Sequence, residues 1–404
     1  MNTKELTKNL FGGSIILLIT INIFNALNYF FHFAMARMLI PADYGVLAAL
    51  MSILYIFNVP TEAIQTIIAK YSSQESSLGK IKNIIKKSFR KAAKVSFMLI
   101  LVYLAACLVL TKILDINYSL LALTGLLIFS VFFLPISRGV LQGKKKFKSL
   151  GFNMVIEASV KILLAILFVY IGMKVYGAIL GVFIGTVCAF VLAFPSLKEI
   201  FSSKELKSNT SGIYNYSIPV FVTIFAIITF YGLDVILAKA FFPADLAGQY
   251  AMASTLAKII FFGTVPLSKA MFPISSESHK DKKSSLKILG ISLLILTACI
   301  AIALTIIWFF PELLVRIFSG NYHPAASGIL FYLAISMSLI SFTNLILLYK
   351  LSINKVKDYA ILLIFPLIEI ALLSFFHSNL VEYSVTLIFL NLLFLFGSIF
   401  LFND

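Results

Sequence analysis

Several apolar stretches of this chain carry charged side chains that could bind an ion, a proton or an anion. Glu157 and Lys161 stand four residues apart in one stretch, and Asp234, Lys258 and Glu369 lie in others. A charge within hydrocarbon costs from about 2.5 to more than 10 kcal/mol, depending on the measure, so each group is expected to face a partner or a wet cavity. An acid placed there could exchange a proton or a coupling ion, and a lysine could bind an anion.

Two interpretations are open for Glu157 and Lys161. The spacing i, i+4 with the acid first is the order that best pairs the two charges on a helix, and a buried pair of this kind neutralises itself. The alternative is an exchangeable carboxylate that is released from its lysine when a substrate or a proton arrives.

A stripe of polar side chains marks the first apolar stretch. Asn25, Asn28 and His32 fall within one arc of a helix. Amides that face lipid would cost free energy, so this stripe is expected to face the interior of a helix bundle. It could join helices by hydrogen bonds, or it could line a cavity and offer hydrogen bonds to sugar hydroxyls.

Metal, cofactor and nucleotide chemistry has no support in the sequence. Cys107, Cys188 and Cys299 lie inside apolar runs without a CxxC spacing, and the 4 histidines are scattered. No glycine-rich phosphate loop follows a strand pattern. We therefore predict no cofactor, no metal and no catalytic residue, and we predict that the protein is not an enzyme.

The elements that must position these groups are membrane-spanning helices. Apolar residues make up 60% of the chain and charged residues only 12%, whereas ordinary soluble domains are about a quarter charged. The predicted fold is all-α and polytopic, with about 12 transmembrane helices of roughly 20 residues each. The spans are predicted near residues 14–36, 44–69, 95–111, 118–137, 150–171, 176–195, 213–238, 246–273, 288–310, 325–348, 359–376 and 383–402.

The distribution of basic residues predicts the orientation. Most of the 33 Lys and Arg residues lie at the N-terminus and in alternate breaks between spans. The opposite breaks carry few of them: Arg37, Lys112, Lys174, Lys239 and Arg316. The positive-inside rule then places both termini of this multi-pass cell-membrane protein in the cytoplasm. Topology explains the net charge of +16, so no nucleic-acid partner is predicted.

One cytoplasmic break, Leu78 to Lys94, has apolar residues on one side and basic residues around the rest. This pattern is typical of an interfacial helix on anionic headgroups. Enforcement of the membrane topology is an equally good interpretation.

A repeat relates the two halves of the chain. The segment A-R-M-L-I-P-A-D-Y-G begins at Ala36, and A-K-A-F-F-P-A-D-L-A-G begins at Ala238, 202 positions later in a chain of 404 residues. In each copy a cation closes one span and Pro-Ala-Asp opens the next, where Asp43 or Asp245 could cap the new helix.

Val-Pro pairs at Pro60 and Pro266 extend the repeat, and each is expected to interrupt its span. We predict two six-helix lobes, residues 1–205 and 206–404, related as a parallel repeat around a central cavity. Such lobes usually rock against each other and open a midplane site to alternate sides, which favours transport.

Five segments occur in a characteristic order. They are A-R-M-L-I-P-A-D-Y-G-V-L-A from Ala36, R-G-V-L-Q-G-K-K-K-F-K from Arg138, the run around Lys161, D-V-I-L-A-K-A-F-F-P-A-D-L-A-G-Q-Y-A from Asp234 and M-F-P-I-S-S-E from Met271. In order and spacing they resemble the polysaccharide-biosynthesis (oligosaccharide) flippases of the multidrug, oligosaccharidyl-lipid and polysaccharide exporter superfamily. The resemblance covers most of the chain.

The resemblance implies a two-lobed helical transporter that moves a polyprenyl-diphosphate-linked oligosaccharide from the cytoplasmic to the outer leaflet. Its partners would be the lipid-linked oligosaccharide, the lipid bilayer and glycan-assembly proteins. In that family a cationic cavity binds the diphosphate and the glycan. The substrate-binding candidates on this sequence are Arg37, Lys161, Lys239, Lys258, Asn25, Asn28 and His32, and the coupling-ion candidates are Asp234, Glu157 and Glu369.

Two other functions stay open on the sequence alone. A cation-coupled drug or metabolite antiporter of the same superfamily would use Asp234 or Glu157 to bind its ion. A membrane glycan polymerase or ligase should present a long outer loop with catalytic acids, His or Arg. The longest predicted outer break, Pro311 to Pro324, is short for that role.

Overall fold

The computed structural model describes residues 3–208, 218–277, 282–353 and 359–400. Within these ranges every regular element is a helix and no strand occurs, which confirms the predicted all-α class. The first half contains α1 (Thr3–Met38), α2 (Pro41–Phe57), α3 (Val59–Gln74), α4 (Leu78–Leu114), α5 (Tyr118–Gly125), α6 (Leu127–Gly143), α7 (Phe147–Phe168), α8 (Lys174–Ala193) and α9 (Lys198–Ser202). The second half contains α10 (Ile218–Phe241), α11 (Ala244–Glu277), α12 (Lys282–Phe309), α13 (Pro311–Ser319), α14 (Pro324–Ser352), α15 (Ile364–Phe375) and α16 (Leu380–Phe400).

Local sequence sets several helix ends. Pro311 and Pro324 begin α13 and α14, positions at which a helix does not need the missing N–H. Asn117 caps α5 by accepting a hydrogen bond from the backbone N–H of Ser119 at 3.1 Å. Gly320 ends α13 with a φ of 82°, in the left-handed region that favours glycine.

Asp43 and Asp245 do not cap the helices that follow the repeat. They lie within the first turns of α2 and α11, as the third and the second residue of these helices. Both helices begin earlier than predicted, at Pro41 and Ala244. A carboxylate in a first turn still favours the helix, because it faces the positive end of the helix dipole.

In the described ranges, nine helical stretches are long and apolar enough to cross a membrane. One of them, Phe147–Ser202, covers the predicted fifth and sixth spans. There α7 and α8 pack along each other after a π-helical turn, Val169–Met173, in which Gly172 has a φ of 94°. Tyr359–Phe375 is a shorter apolar helical stretch at the predicted eleventh span. The protein is thus a multi-pass membrane protein, and the number of twelve spans stays a prediction.

Packing groups the chain into two units. Unit 1 comprises Met1–Leu39 and Phe57–Asn215, and unit 2 comprises Ile40–Ile56 and Tyr216–Asp404. The predicted lobes, residues 1–205 and 206–404, stay a prediction. The packing differs from them in one respect, because nearly all of α2 groups with the second half of the chain.

The two Val-Pro pairs of the repeat behave differently. The helical path breaks at Asn58, just before Pro60, and separates α2 from α3. Pro266 lies inside the continuous helix α11, so the predicted interruption there is wrong. An interior proline costs a helix about 3 kcal/mol. The extensive packing of α11 along α14 supplies the compensating contacts.

The basic segment Leu78 to Lys94 forms the N-terminal part of α4. Several of its side chains bind another segment of the same chain. Lys82 Nζ donates to the carbonyl of Ser203 at 2.8 Å. Glu205 accepts hydrogen bonds from Lys86 at 2.6 Å and from Asn83 at 2.7 Å, and these bonds lower the pKa of Glu205. Lys82 and Lys86, two of the cations predicted to face lipid headgroups, therefore bind the segment that follows α9.

Trp308, the single tryptophan of the sequence, lies near the end of α12. Its side chain is 62% exposed, although one edge packs on Phe331 with 4.6 Å between ring centroids. Phe309 and Phe310 beside it are also exposed. Exposed aromatic residues at the end of a span are typical of the interface between membrane and water.

Candidate functional site

A cluster of polar and charged side chains lies inside unit 1 and is named here the unit 1 cluster. It consists of Asn28 on α1, Arg138 on α6, and Asn153, Glu157 and Lys161 on α7. The three residues of α7 follow at intervals of four, so they share one face of that helix. We call such a row of three side chains at intervals of four a ladder. The ladder of α7 presents an amide, an acid and a cation to the neighbouring helices in a fixed order.

Close packing of α8 on α7 helps to fix this ladder. A Cβ atom at Gly185 would lie 2.9 Å from the carbonyl oxygen of Glu157 and 2.9 Å from Cβ of Lys161. Glycine is therefore required at this crossing. The neighbouring Thr186 directs its hydroxyl toward the Glu157 carboxylate at 3.4 Å.

Arg138 holds the acid of the unit 1 cluster. Its Nη2 donates to Glu157 Oε2 at 2.5 Å, and its Nε donates to Asn153 Oδ1 at 2.9 Å. Asn153 in turn donates to the carbonyl of Ala189 at 2.6 Å. The predicted pairing of Glu157 with Lys161 is therefore wrong. The two residues share a helix face as expected, but the guanidinium of Arg138, from another helix, donates one hydrogen bond to the carboxylate and one to the neighbouring amide of Asn153.

Lys161 is left with weaker partners. It is 7% exposed, donates a hydrogen bond to Asn28 Oδ1, and holds its Nζ 4.9 Å from the centre of the Phe31 ring. No carboxylate lies within ion-pair distance of it in the described ranges. Asn28 is oriented for this contact because its amide nitrogen donates to the carbonyl of Phe24 at 2.9 Å. The cluster thus holds two cations and one acid, with the surplus cation at Lys161.

A second cluster, named here the unit 2 cluster, consists of Asp234 on α10, Tyr250, Ser254 and Lys258 on α11, and Glu369 on α15. The three residues of α11 again follow at intervals of four and share one helix face. Here the ladder faces an acid, whereas the ladder of unit 1 faces Arg138.

Asp234 is fully buried and accepts a hydrogen bond from every member of the α11 ladder. The bond lengths are 3.0 Å from Tyr250 Oη, 2.7 Å from Ser254 Oγ and 3.1 Å from Lys258 Nζ. Its backbone carbonyl also accepts a bond from Tyr383 Oη at 2.7 Å. A buried carboxylate with this many hydrogen-bond donors is well compensated for its loss of water.

Glu369 completes the unit 2 cluster without a hydrogen bond. It is fully buried, and neither of its carboxyl oxygens has a partner among the described residues. The charges of Asp234 and Lys258 both act on it. Because burying an unpaired charge is very costly, the neutral acid is the form that fits this position. The unit 2 cluster thus pairs one satisfied carboxylate with one carboxyl that can take up or release a proton.

The remaining predicted site residues lie in one unit or the other. In unit 1, Arg37 is exposed with its guanidinium 4.6 Å from the centre of the Phe33 ring, Asn25 is exposed, and His32 is buried against Phe31. In unit 2, Lys239 is buried in the last turn of α10. A cavity shared by all four predicted cations would need both units, so it stays a prediction.

Sequence reasoning missed Arg138, Tyr250 and Ser254. Tyr250 and Ser254 could have been found, because the spacing of four that leads to Lys258 is visible in the sequence. Arg138 could not be assigned to Glu157 from spacing, since 19 residues and a helix–helix turn separate them.

No metal centre is indicated. The described part of the chain has no group of three or more His, Cys, Asp or Glu side chains that could hold a metal ion. An open cleft of about 610 Å³ lies in unit 2 between the end of α10 and the starts of α14 and α16, and it is lined by Phe241, Pro324 and His377 among others. None of the predicted site residues lines this cleft.

The family follows from the sequence as a whole. A model of the family described as polysaccharide biosynthesis protein matches residues 11–279. The chain belongs to the polysaccharide biosynthesis protein family. This confirms the family resemblance noted from the five segments.

Similar proteins agree with this family assignment. An uncharacterized membrane protein of Methanocaldococcus jannaschii is 26% identical over 363 residues, which cover 83% of each chain. The fold is similar to that of an inward-facing multidrug resistance MATE family transporter of the MOP superfamily, with a TM-score of 0.75, 11% identity and coverage of 95% of this chain and 97% of the other. It is also similar to the lipid II flippase MurJ in an inward closed conformation, with a TM-score of 0.71, 13% identity and coverage of 96% and 87%.

At these identities the structural likeness establishes the fold. This polysaccharide biosynthesis family protein therefore has the fold of the MOP-superfamily transporters. The solved structures named above are those of a transporter and a flippase. Which substrate this member carries is a separate question.

Proposed function

We propose that this protein flips a polyprenyl-diphosphate-linked oligosaccharide from the cytoplasmic to the outer leaflet of the cell membrane by alternating access. Membership of a polysaccharide biosynthesis family and the fold shared with a lipid flippase support this proposal. We place both termini in the cytoplasm, as the basic residues indicate. The observation that carries the proposal is the surplus buried cation at Lys161.

Lys161 suits a diphosphate for a simple reason. Its ammonium has three N–H donors, and its hydrogen bond to Asn28 uses one of them. A diphosphate cannot cross hydrocarbon unaided, since the idealised cost of desolvation is of the order of 20 kcal/mol per ion. A buried cation with no carboxylate within ion-pair distance among the described residues removes part of this cost and supplies hydrogen bonds to phosphate oxygens.

The other substrate contacts follow the same chemistry. Arg37, Lys239 and Lys258 are the further cations that we propose for the diphosphate. Asn25, Asn28 and His32 are proposed to offer hydrogen bonds to sugar hydroxyls, and the polyprenyl chain would stay in lipid. No bond is made or broken in this process, so binding, charge compensation and movement are all that the residues must provide.

We further propose that proton exchange in the unit 2 cluster drives transport. Lys258 is bonded to Asp234, so we propose that it reaches the diphosphate only in a state of the cycle in which it leaves this carboxylate. Deprotonation of Glu369 would offer Lys258 a second carboxylate partner, and reprotonation would withdraw it. We propose that Glu157 has a smaller part in coupling, because Arg138 already holds it.

A cation-coupled drug or metabolite antiporter is the second candidate. The observation that favours it is Glu369, a buried carboxyl without a hydrogen-bond partner, in a fold shared with a multidrug transporter. A cationic drug would need such acids and would gain nothing from a surplus cation at Lys161. The balance of charges in unit 1 therefore favours the anionic lipid.

The two candidates are separated by transport in proteoliposomes. The purified full-length protein would be reconstituted with a fluorescent polyprenyl-diphosphate oligosaccharide, and arrival in the opposite leaflet would be measured with an impermeant quencher. A parallel sample would test exchange of a fluorescent cationic dye against a proton gradient. We expect transfer of the lipid-linked sugar and no dye exchange. Dye exchange without transfer of the lipid would refute the flippase proposal.

A further inference from the structure

The second predicted span is shared between the two packing units. Its predicted outer part, α2, groups with unit 2 up to Ile56, and its predicted inner part, α3, groups with unit 1 from Phe57 onward. The boundary between units therefore falls within two residues of the break at Asn58. A helix that is fastened to a different body at each end must bend wherever those bodies move.

Contacts within unit 2 fasten α2 firmly. A Cβ atom at Gly248 of α11 would lie only 1.8 Å from the carbonyl oxygen of Pro41, so the backbones of the two helices touch at this point. Tyr44 Oη donates to Thr255 Oγ1 at 3.1 Å, and the Tyr44 ring packs edge-on against Phe318. These contacts join the outer half of the span to α11 and α13.

Contacts within unit 1 fasten α3 in the same way. A Cβ atom at Gly143 of α6 would lie 2.4 Å from the carbonyl oxygen of Ala69. Thr61 Oγ1 donates to the carbonyl of Val131 at 3.1 Å, immediately after the break. The inner half of the span is thus joined to α6 over two turns.

The break itself is weak in hydrogen bonding. Pro60 has no N–H, so the carbonyl of Ile56 loses its helical partner at the boundary between units. Asn58 makes no side-chain capping bond to α3, and the N–H of Thr61 bonds to the Asn58 carbonyl at 3.0 Å in a tighter turn. A helix bends most easily where a bond of its ladder is missing.

The second copy of the repeat lacks this arrangement. Pro266 is the counterpart of Pro60, but it lies inside α11, which is continuous from Ala244 to Glu277. All of α11 belongs to unit 2. A proline is therefore present in both copies, whereas a break on a unit boundary occurs in one.

We propose that residues 57–60 are the hinge of this transporter, at which α2 moves with unit 2 while α3 stays with unit 1. Motion at hinges is absorbed by a few residues at element ends, and the missing bond of Pro60 lowers the cost of bending there. This inference rests on alternating access, as in the proposed function, but it does not depend on which substrate is carried.

Amide hydrogen exchange of the full-length protein in nanodiscs tests the hinge directly. We expect the amides of residues 57–62 to exchange at least about tenfold faster than those of residues 263–268, which corresponds to a difference of about 1.4 kcal/mol in opening. Pro60→Ala restores the N–H and should slow exchange in 57–62. The matched control, Pro266→Ala, should leave exchange in 57–62 unchanged. Equal protection of the two segments in the wild-type protein overturns the proposal.

Transport by the same variants supplies the second readout. We expect Pro60→Ala to slow transfer of the labelled lipid-linked sugar about tenfold and Pro266→Ala to change it less than twofold. Asn58→Ala favours helix at the break and should slow transfer to a smaller extent. This variant replaces Pro60→Ala in the test if Pro60→Ala folds poorly. Slower exchange with unchanged transfer also overturns the hinge. If the wild-type protein transfers no lipid-linked sugar, the proposed function fails, while the exchange comparison still decides the hinge.

Discussion

The unit 1 and unit 2 clusters are built alike but contain different sets of ionisable groups. In each, three side chains at intervals of four on one helix end in a lysine, Lys161 or Lys258. In unit 1 a guanidinium faces the ladder, and in unit 2 a carboxylate faces it. One cluster therefore has a surplus cation and the other a surplus acid. The contrast suggests that unit 1 contributes Lys161 to anion binding, whereas proton exchange takes place in unit 2.

The largest effect is expected from breaking the ion pair of unit 1. Arg138→Met leaves the Glu157 carboxylate, whose side chain is only 16% exposed, without its cation, and breaking a buried pair in this way costs about 3 to 5 kcal/mol of folding stability. The double variant Arg138→Met/Glu157→Gln removes both charges and should recover much of that loss. Unfolding free energies in mixed lipid–detergent micelles would measure both. A double variant no more stable than the single one would contradict the assigned pairing.

The next effect concerns the surplus cation. Lys161→Met should reduce transfer of the lipid-linked sugar by about 30- to 150-fold, because charged hydrogen bonds to phosphate contribute about 2 to 3 kcal/mol. The control is Lys146→Ala, in the loop before α7, where the ammonium bonds to the Ser196 carbonyl. Proteoliposome transfer rates measure both. Equal and small losses in the two variants would argue against an internal anion site.

A smaller loss is expected from the facing acid of unit 2. Asp234→Asn removes the partner of Lys258, and we expect Glu369, the second acid of the cluster, to replace it, so the cost should be about 1 to 3 kcal/mol of stability. Adding Glu369→Gln to Asp234→Asn removes that replacement and should cost more than the two single changes together. The double-mutant cycle measures this coupling. Simple additivity would show that Glu369 does not compensate.

Loss of the surplus acid should alter coupling more than binding. Glu369→Gln is expected to abolish the acceleration of transfer by a proton gradient, up to about tenfold, while transfer without a gradient continues. Glu312→Gln, an exposed acid on α13, is the matched control. Transfer rates would be compared with and without an imposed pH difference. An undiminished response in Glu369→Gln would exclude this residue as the coupling group.

The smallest effect is expected outside both clusters, at Glu205. Its hydrogen bonds from Lys86 and Asn83 lower its pKa in the folded protein. A lowered pKa stabilises the fold above the ordinary value of about 4.3, and the contribution is lost as the pH falls through the folded pKa. Glu205→Gln should therefore melt slightly below the wild type at pH 7, and the two melting curves should converge under acid. A difference in melting temperature that grew as the pH fell would contradict the lowered pKa of Glu205.

Much of the architecture could be predicted because composition and periodicity act locally. Long apolar runs leave a helix as the only structure that satisfies the backbone in lipid, and the charged residues inside them could be recognised one by one. The partners of those charges could not be predicted. Glu157 was expected to pair with Lys161 because local spacing allowed it, and Arg138 from another helix took its place.

The two copies of the repeat also differ in a way that the sequence did not predict. Identical residue types predicted a break at Pro60 and at Pro266, yet of the two prolines only Pro60 lies beside a break, which falls at Asn58. Whether a proline interrupts a helix depends on the contacts on either side of it, and those contacts are formed between elements far apart in the sequence. Packing is thus what distinguished the two copies.

The exposed indole of Trp308 has a practical consequence. Since the chain contains no second tryptophan, all indole emission comes from one known position at the end of α12. Lipids brominated at successive acyl carbons would quench this fluorescence most strongly when the bromine atoms lie at the same depth as the indole. The fluorescence of the native protein can therefore report how deeply the end of α12 lies in the bilayer, without an added label.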